Sequence, residues 1–434
     1  MAEELTYKDV LKDPQYMKLL FSNLINRFGD SIDAIAFTWL VYRITNSASW
    51  AALIFGLNLL PNVVIQPFLG PIVERLNKKK VIVFTHILRG FVILAFVLMY
   101  LAGLVNPFIM AGFTLVITTI ESFNLPASLA IIPSIVSKEK LAHAMSLNSS
   151  LSSAVSLVGI SIAGVIIAKL GVQFAMFIDI ATFFIAAFIM MFVKLMTETE
   201  DNTQQMPVEE HIGTGQVEES YISSLKEGIK YVLRNSVIMN ICLFAVLLNF
   251  CIVPINALQA PIADEVYKLG SGFLSVIGIA GSIGGIIGAA ITPSVMGKHS
   301  VKKVLVLGGL IQGTFMILFS LGGKFGGAAI WGYLWASMCY IMIAGASTIM
   351  AGTVNIQFEK TCDTNYLARA GAVLGAASMS AAPLGSFLVS LISVYVGPAV
   401  LIGTFGIMII AMMILVFLSK TDYEIAKGGA ANES

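Results

Sequence analysis

Charge is what this chain has least of. Only 12% of its 434 residues are Asp, Glu, Lys or Arg, where a soluble domain carries about 25%. That shortage excludes an ordinary soluble fold. Histidine and cysteine are also sparse, four of each, and no two cysteines stand in a CxxC pair, so no disulfide framework is implied. Cys242, Cys251 and Cys339 fall in apolar runs, where cysteine behaves as a small buried hydrophobe. No GxxxxGK[ST], HExxH or nucleophile elbow occurs, which removes a P-loop engine, a zinc peptidase and a serine hydrolase. No metal, cofactor or catalytic grouping is expected, and the chain does not read as an enzyme.

What remains is apolar: 57% of the residues are hydrophobic. A spanning helix needs about 20 apolar residues. Twelve runs approach that length, near 18–42, 50–73, 81–102, 107–132, 145–168, 173–194, 236–261, 272–296, 303–322, 328–354, 371–396 and 399–418. Continuous runs exclude a membrane barrel, whose strands alternate over about 9–11 residues. The polar start, "MAEELTYKDVLKDPQYM", offers no cleavable signal. An all-α integral membrane protein with twelve transmembrane helices is expected.

Lysine and arginine set the orientation. With the N-terminus cytoplasmic, the same side collects twenty of the 26 basic residues, and the opposite side holds Arg43, Lys169, Lys268 and Lys324. Arg27 and Arg89 remain inside the membrane. Both termini are expected in the cytoplasm of a bacterial-type plasma membrane.

One long polar stretch, 197–225, contains seven acids and no lysine or arginine. It reads as a solvated linker between residues 1–196 and 226–434, six helices on each side. The halves echo each other: "VLKDPQYM" at 10–17 matches "VLRNSVIM" at 232–239, offset 222, and "KKVIVFTHILRG" at 79–90 matches "KKVLVLGGLIQG" at 302–313, offset 223. Two pseudo-symmetric six-helix bundles follow, a parallel repeat known in transporters.

The deep charges all lie in the first half. "NRFGDSIDA" puts Arg27, Asp30 and Asp33 inside an apolar helix, and at 100° per residue they share an arc of about 120° with Asn23 and Asn26. A charge at the bilayer centre costs about 2.5–3.5 kcal/mol on insertion scales, so this face must meet protein or water. Arg27 and Asp30, three apart, can pair. Glu121 in "TTIESFNLP" stands near the middle of the fourth run with no local cation, a candidate to carry a proton through a conformational cycle. The alternative is a buried ion pair, such as Glu121 with Arg27, that only registers two helices. Arg89 lies in the cytoplasmic half of the third run, where an arginine snorkels, and reads as an anchor; Asp179 in the sixth is structural or a relay. By the repeat, Arg27 answers to Asn249, Asp30 to Ile252, Asp33 to Ile255 and Arg89 to Gln312. The second copy has no such charges, which favours a functional role in the first. Glycines of "GIAGSIGGIIGAA" and serines of the fifth run suit close helix packing.

The loop "GPIVERLNKKK" at 70–80 is similar to the G-x-x-x-D-R-x-G-R-K signature of the major facilitator superfamily, with Gly70, Glu74, Arg75, Lys78 and Lys79 at matching positions, Glu in place of Asp and Asn77 in place of Gly. "RFGDSI", "VYRITNS", "LPASLAIIPSIVSKEKLAHAMSLNSS", "FAMFIDIATFF" and "LKEGIKYVLRN" extend a resemblance to its macrolide-efflux-type branch over nearly the whole chain. That resemblance implies alternating access, a central cavity shared by Arg27, Asp30, Asp33, Glu121, Asn23 and Asn249, and a gating role for the 70–80 motif. "GISIAG" at 159–164 has Ile160 where many drug antiporters of the superfamily carry proline, and their fourth-helix arginine motif is absent, with Glu121 in that helix instead.

The expected activity is proton-coupled efflux of amphipathic or cationic small molecules. The partners are the substrate, protons and the lipid bilayer, not nucleic acid, and the expected state is a monomer. A transporter of a specific metabolite, metal chelate or siderophore is the alternative; a non-transporting receptor or scaffold fits the deep charges less well.

Overall fold

The structure is a computed structural model, and it describes residues 10–195, 226–325, 329–364 and 366–419. The linker 197–225 and the C-terminal residues after 419 lie outside that set. The described residues contain helices and no strand. In chain order these are α1 (Pro14–Thr45), α2 (Ala48–Val64), α3 (Gln66–Arg75), α4 (Lys78–Leu101), α5 (Pro107–Ile131), α6 (Leu141–Leu170) and α7 (Val172–Met191). There follow α8 (226–234), α9 (Ser236–Ala257), α10 (Gly272–Lys298), α11 (Val301–Ser320), α12 (Ala329–Thr361), α13 (Leu367–Ile392) and α14 (Pro398–Leu418).

Ten helices among the described residues are long and apolar enough to cross a membrane. Two expected spans are not among them, each for a physical reason. Helix α1 is long, at 32 residues, but Lys18, Arg27, Asp30 and Asp33 interrupt its apolar run. Helix α2 stops after 17 residues, and α3 restarts the path beyond Ile65; Pro61 and Pro67 flank this break. Proline removes a helical hydrogen bond and crowds the preceding turn.

Polar residues at the ends fix where helices begin. The Asp13 carboxylate accepts from the amides of Gln15 and Tyr16, with Pro14 in the first turn. At the repeat offset of 222, Asn235 accepts from the amides of Val237 and Ile238 at the start of α9. Such caps satisfy amides that have no partner inside the helix. Asn46 closes α1 in the left-handed region, at φ 44°, which asparagine tolerates better than most residues.

Two compact units emerge. The first takes in the described residues up to 195 together with Gln259–Ile279; the second takes in 226–258 and the chain from Ala280 on. In the first unit, α1 packs on α6 and α7, and α4 packs on α5 and α7. In the second, α9 packs on α13 and α14, and α11 packs on α12 and α14. The pairings correspond element by element.

Burial repeats in the same phase. Leu19, Leu20, Ser22, Gly29, Ile32 and Ile35 are buried on α1, and 222 residues on so are Ile241, Cys242, Phe244, Cys251, Pro254 and Ala257. On α4, Ile82, His86, Arg89, Gly90 and Ile93 are buried, and 223 residues on so are Leu305, Gly309, Gln312, Gly313 and Met316. Lys79 donates to the carbonyls of Met191 and Val193 at the end of α7, while Lys302 donates to that of Ser419 at the end of α14. A lysine at a helix C-terminus satisfies free carbonyls and opposes the negative end of the helix dipole.

Small residues let backbones meet. A Cβ at Gly159 of α6 would lie 2.8 Å from Ser31 Cβ and 3.0 Å from Phe28 O of α1, and one at Gly288 of α10 would lie 2.6 Å from Gly345 O of α12. All four cysteines are free and buried, as expected for Cys242, Cys251 and Cys339 in apolar runs; Cys362, in the polar stretch "EKTCDTN", is buried as well.

Candidate functional site

The first unit encloses a charged cluster assembled from α1, α4, α5 and α7. Arg89 enters from α4, 7% exposed, and its Nη2 donates to Asp30 Oδ1 at 3.0 Å. The same nitrogen lies 3.8 Å from Glu121 Oε2 on α5. Its guanidinium sits 4.3 Å from the centre of the Phe183 ring of α7, a cation–π contact that also excludes water. The other oxygen of Asp30 accepts from Asn26 Nδ2 at 2.8 Å, one turn back on α1. Asp30 is therefore held on both sides.

This geometry revises two sequence readings. Arg27 does not pair with Asp30; it is exposed, and its ordered contact is its backbone carbonyl, which accepts from Ser31 Oγ at 2.7 Å. Arg89 is no snorkelling anchor. It is the cation of the cluster, because α1 and α4 both pack on α7 and so bring Asp30 against it.

Two more carboxylates complete the group. Asp179 of α7 is 1% exposed, with neither carboxylate oxygen hydrogen-bonded, and Asp33 Oδ1 on α1 is likewise buried without a partner. Both lie within electrostatic reach of Arg89 and of each other. Gly29 makes room: a Cβ there would lie 2.6 Å from Asp179 Oδ1 and would overlap the Thr182 hydroxyl. His86, one turn before Arg89, is 2% exposed with Nδ1 unpartnered. One guanidinium thus serves four carboxylates in a low-dielectric bundle. If all were ionised, three negative charges would be left unbalanced, which is costly away from water.

The remaining sequence candidates distribute as follows. Asn23 Nδ2 donates to Asn148 Oδ1 of α6 at 3.1 Å. Glu121 is half-exposed, its side chain 45% accessible, so it is the member of the group most open to exchange. Asn249 belongs to the second unit, where it lines a cavity of about 470 Å³ with Asn355, Glu359, Ser378 and Phe358. Of the 70–80 motif, the side chains of Gly70, Glu74 and Arg75 lie outside the described residues. Lys78 is half-buried, and Lys79 caps α7 as above. Arg369 at the start of α13 pairs with Glu227 of α8 and lies over the Tyr366 ring.

Sequence reasoning missed the roles of Asn26, Phe183 and Arg89. The available signal was the repeat: Arg89 answers to Gln312, a polar residue 1% exposed on α11, so the position faces inward in both units.

Known proteins match this architecture. The family model described as Major Facilitator Superfamily matches residues 19–362. The uncharacterized MFS-type transporter YvqJ of Bacillus subtilis (strain 168) is 25% identical over 249 residues, 57% of each chain. The putative bacilysin exporter BacE of the same organism is 28% identical over 181 residues, 41% of each. The matched segment therefore spans about half the length of these relatives. Among solved structures, the nucleoside transporter NupG superposes with a TM-score of 0.71 at 13% identity, covering 94% of this chain and 100% of that one, a likeness of fold. The chain belongs to the Major Facilitator Superfamily of membrane transporters.

Proposed function

We propose that this transporter is a proton-coupled exporter of amphipathic or cationic small molecules, working by alternating access, in the macrolide-efflux-type branch of its superfamily. One observation carries the reading: four carboxylates gather around a single guanidinium inside a membrane-embedded unit, and two of them have unpartnered oxygens. Surplus carboxylates in such a place are sites for protons or for a cationic substrate. Asp30, clamped by Arg89 and Asn26, sets the charge of the site. Glu121, half-exposed and only loosely engaged by the same guanidinium, is the exchanging member. Loading a proton on Glu121 frees Arg89 to bind Asp30 alone, and release restores competition for the guanidinium. Alternation between these arrangements couples proton movement to a change in how α1, α4 and α5 pack.

The export direction draws support from BacE, a relative named as a putative exporter. The cavity of the second unit, with Phe358 and Met379 among its walls and Glu359 as its one acid, suits an apolar ligand body that carries a cationic group. The proposed orientation places both termini in the cytoplasm, on the positive-inside count, and the working unit is a monomer of two six-helix bundles.

The test uses purified protein in vesicles with an imposed pH gradient and a panel of labelled compounds. Glu121→Gln should abolish gradient-driven accumulation while retaining energy-independent binding. Asp30→Asn should weaken binding of cations more than of neutral compounds. Accumulation by Glu121→Gln with unchanged pH dependence would mean that the cluster is a structural ion-pair network. Transport indifferent to the pH gradient in the unaltered protein would remove proton coupling altogether.

A further inference from the structure

The acidic cluster occurs in one unit only, but a basic site occurs in both. At the start of α4, Asn77, Lys79, Lys80, Val83 and Phe84 line a cavity of about 460 Å³ that is closed on one side by Met191 of α7. At the start of α11, Ser300, Lys302, Lys303, Val306 and Leu307 line one of about 350 Å³, closed by Phe417 of α14. The five positions recur at an interval of 223, with a polar residue, two lysines, a valine and a large apolar residue in the same order. Two sites of one design, one per unit, are not a local accident of packing.

Within each site the two lysines differ. Lys79 and Lys302 are engaged, donating to carbonyls at the ends of α7 and α14. Lys80 and Lys303 are exposed. Beside each exposed lysine lies an exposed apolar wall: Phe84, 64% accessible, in the first unit, and Phe417, 67% accessible, in the second. A cationic head over an apolar wall, at the end of a membrane-spanning helix, matches an amphipathic anion lying along the protein.

In the second unit the apolar part is a formed crevice. Leu307 is shared with a cavity of about 360 Å³ between α10, α11 and α12, whose walls include Ile287, Ile291 and Ile311 and whose lower end reaches His299. Its floor is backbone, because Gly284 and Gly288 of α10 admit no Cβ against Ile341 and Gly345 of α12. From Gly284 to the end of α10 at Lys298, just before His299, the crevice follows fourteen residue steps, about 21 Å at 1.5 Å per residue. Half a bilayer with its headgroups is about 20–22 Å thick. The crevice therefore runs from headgroup depth to the midplane, the path of one acyl chain.

We propose that Lys80 and Lys303 each bind the phosphate of an anionic phospholipid, and that in the second unit one of its acyl chains occupies the crevice between α10, α11 and α12. On the positive-inside orientation both sites face the cytoplasmic leaflet. Because each site belongs to its own unit, lipid bound there tracks each unit separately and does not depend on the acidic cluster.

The experiment is native mass spectrometry of the full chain released from nanodiscs of mixed phosphatidylglycerol and phosphatidylcholine. The unaltered protein should retain phosphatidylglycerol preferentially, up to two molecules. Lys80→Gln and Lys303→Gln should each remove one, with affinity falling about fivefold per lysine, and the double variant should lose the preference. Leu307→Trp, which fills the junction without touching charge, should weaken only the second-unit lipid. Competition by millimolar inorganic phosphate in place of lipid would identify a free-anion site and overturn the acyl-chain assignment. Equal retention of both lipids in the unaltered protein, or unchanged retention in the double variant, would overturn the proposal. Glu121→Gln should leave lipid retention unchanged, so failure here is separate from failure of the transport reading.

Discussion

The two units repeat a fold and diverge in chemistry, and the divergence includes the positions of the charged cluster. Arg89 and Gln312 occupy the same place on α4 and α11, both buried. Asp30 answers to Ile252, Asp33 to Ile255 and Gly29 to Cys251. The cation, two acids and the glycine that admits a third acid are all replaced in the second unit by neutral residues. Meanwhile the caps, the carbonyl-binding lysines and the buried phase of α1 and α4 are kept. Features that serve helix packing in either unit are retained in both copies. The charged cluster stands in the first unit alone, and that asymmetry is what the proposed transport role rests on.

The strongest way to break this contrast is to exchange the polar centres. Arg89→Gln removes the cation and leaves Asp30, Asp33 and Asp179 without compensation. Breaking a buried ion pair by deleting one partner costs about 3–5 kcal/mol, so the variant should lose monodispersity on mild heating. Gln312→Met replaces a side chain whose carbonyl oxygen already lacks a partner, and should be close to neutral. Equal loss in the two variants, measured by size exclusion after a temperature series, would contradict an asymmetric electrostatic centre.

A smaller effect tests the room made for Asp179. Gly29→Ala forces a methyl group against the Asp179 carboxylate and the Thr182 hydroxyl, and overpacking of this kind costs about 1–3 kcal/mol. At the matching place in the second unit, Cys251→Ala removes only a sulfur atom and should cost less. In addition, Gly29→Ala should impair gradient-driven transport beyond its effect on stability, since it displaces an acid of the cluster. The same heating series and the vesicle assay read both.

Much of this was legible before the structure. The membrane class followed from composition and the repeat from two short matches. Pairing was not. The i, i+3 rule sees only Arg27 beside Asp30, while the actual partner comes from sequence position 89, delivered by α4 and α1 packing on the common surface of α7. The shallow depth of Arg89 in its apolar run likewise suggested that it would extend to the interface. It turns inward because Phe183 offers a ring face and Asp30 a carboxylate at distances no local pattern encodes. Asp179 was visible as an intramembrane acid, but its partnerless burial depends on Gly29 lying opposite, on another helix.

The smallest expected effect sharpens the part of the comparison that is symmetric. Asp13 and Asn235 hold the same position in their units and accept from two amides each, Gln15 and Tyr16 in one, Val237 and Ile238 in the other. Replacing such a cap by alanine costs about 1 kcal/mol. A carboxylate at a helix N-terminus gains a further 0.3–1 kcal/mol or so from the dipole that a neutral amide does not. Asp13→Ala should therefore destabilise slightly more than Asn235→Ala, and Asp13→Asn should recover most of the difference. Raising the ionic strength should shrink the gap between the two alanine variants, because the dipole interaction is screened and the hydrogen bonds are not. A gap that is insensitive to salt would place the difference in local packing, for instance in the bond from the buried Tyr16 hydroxyl to the Ala144 carbonyl that follows the first cap. The caps would then differ in what they hold in register and not in how they hold it.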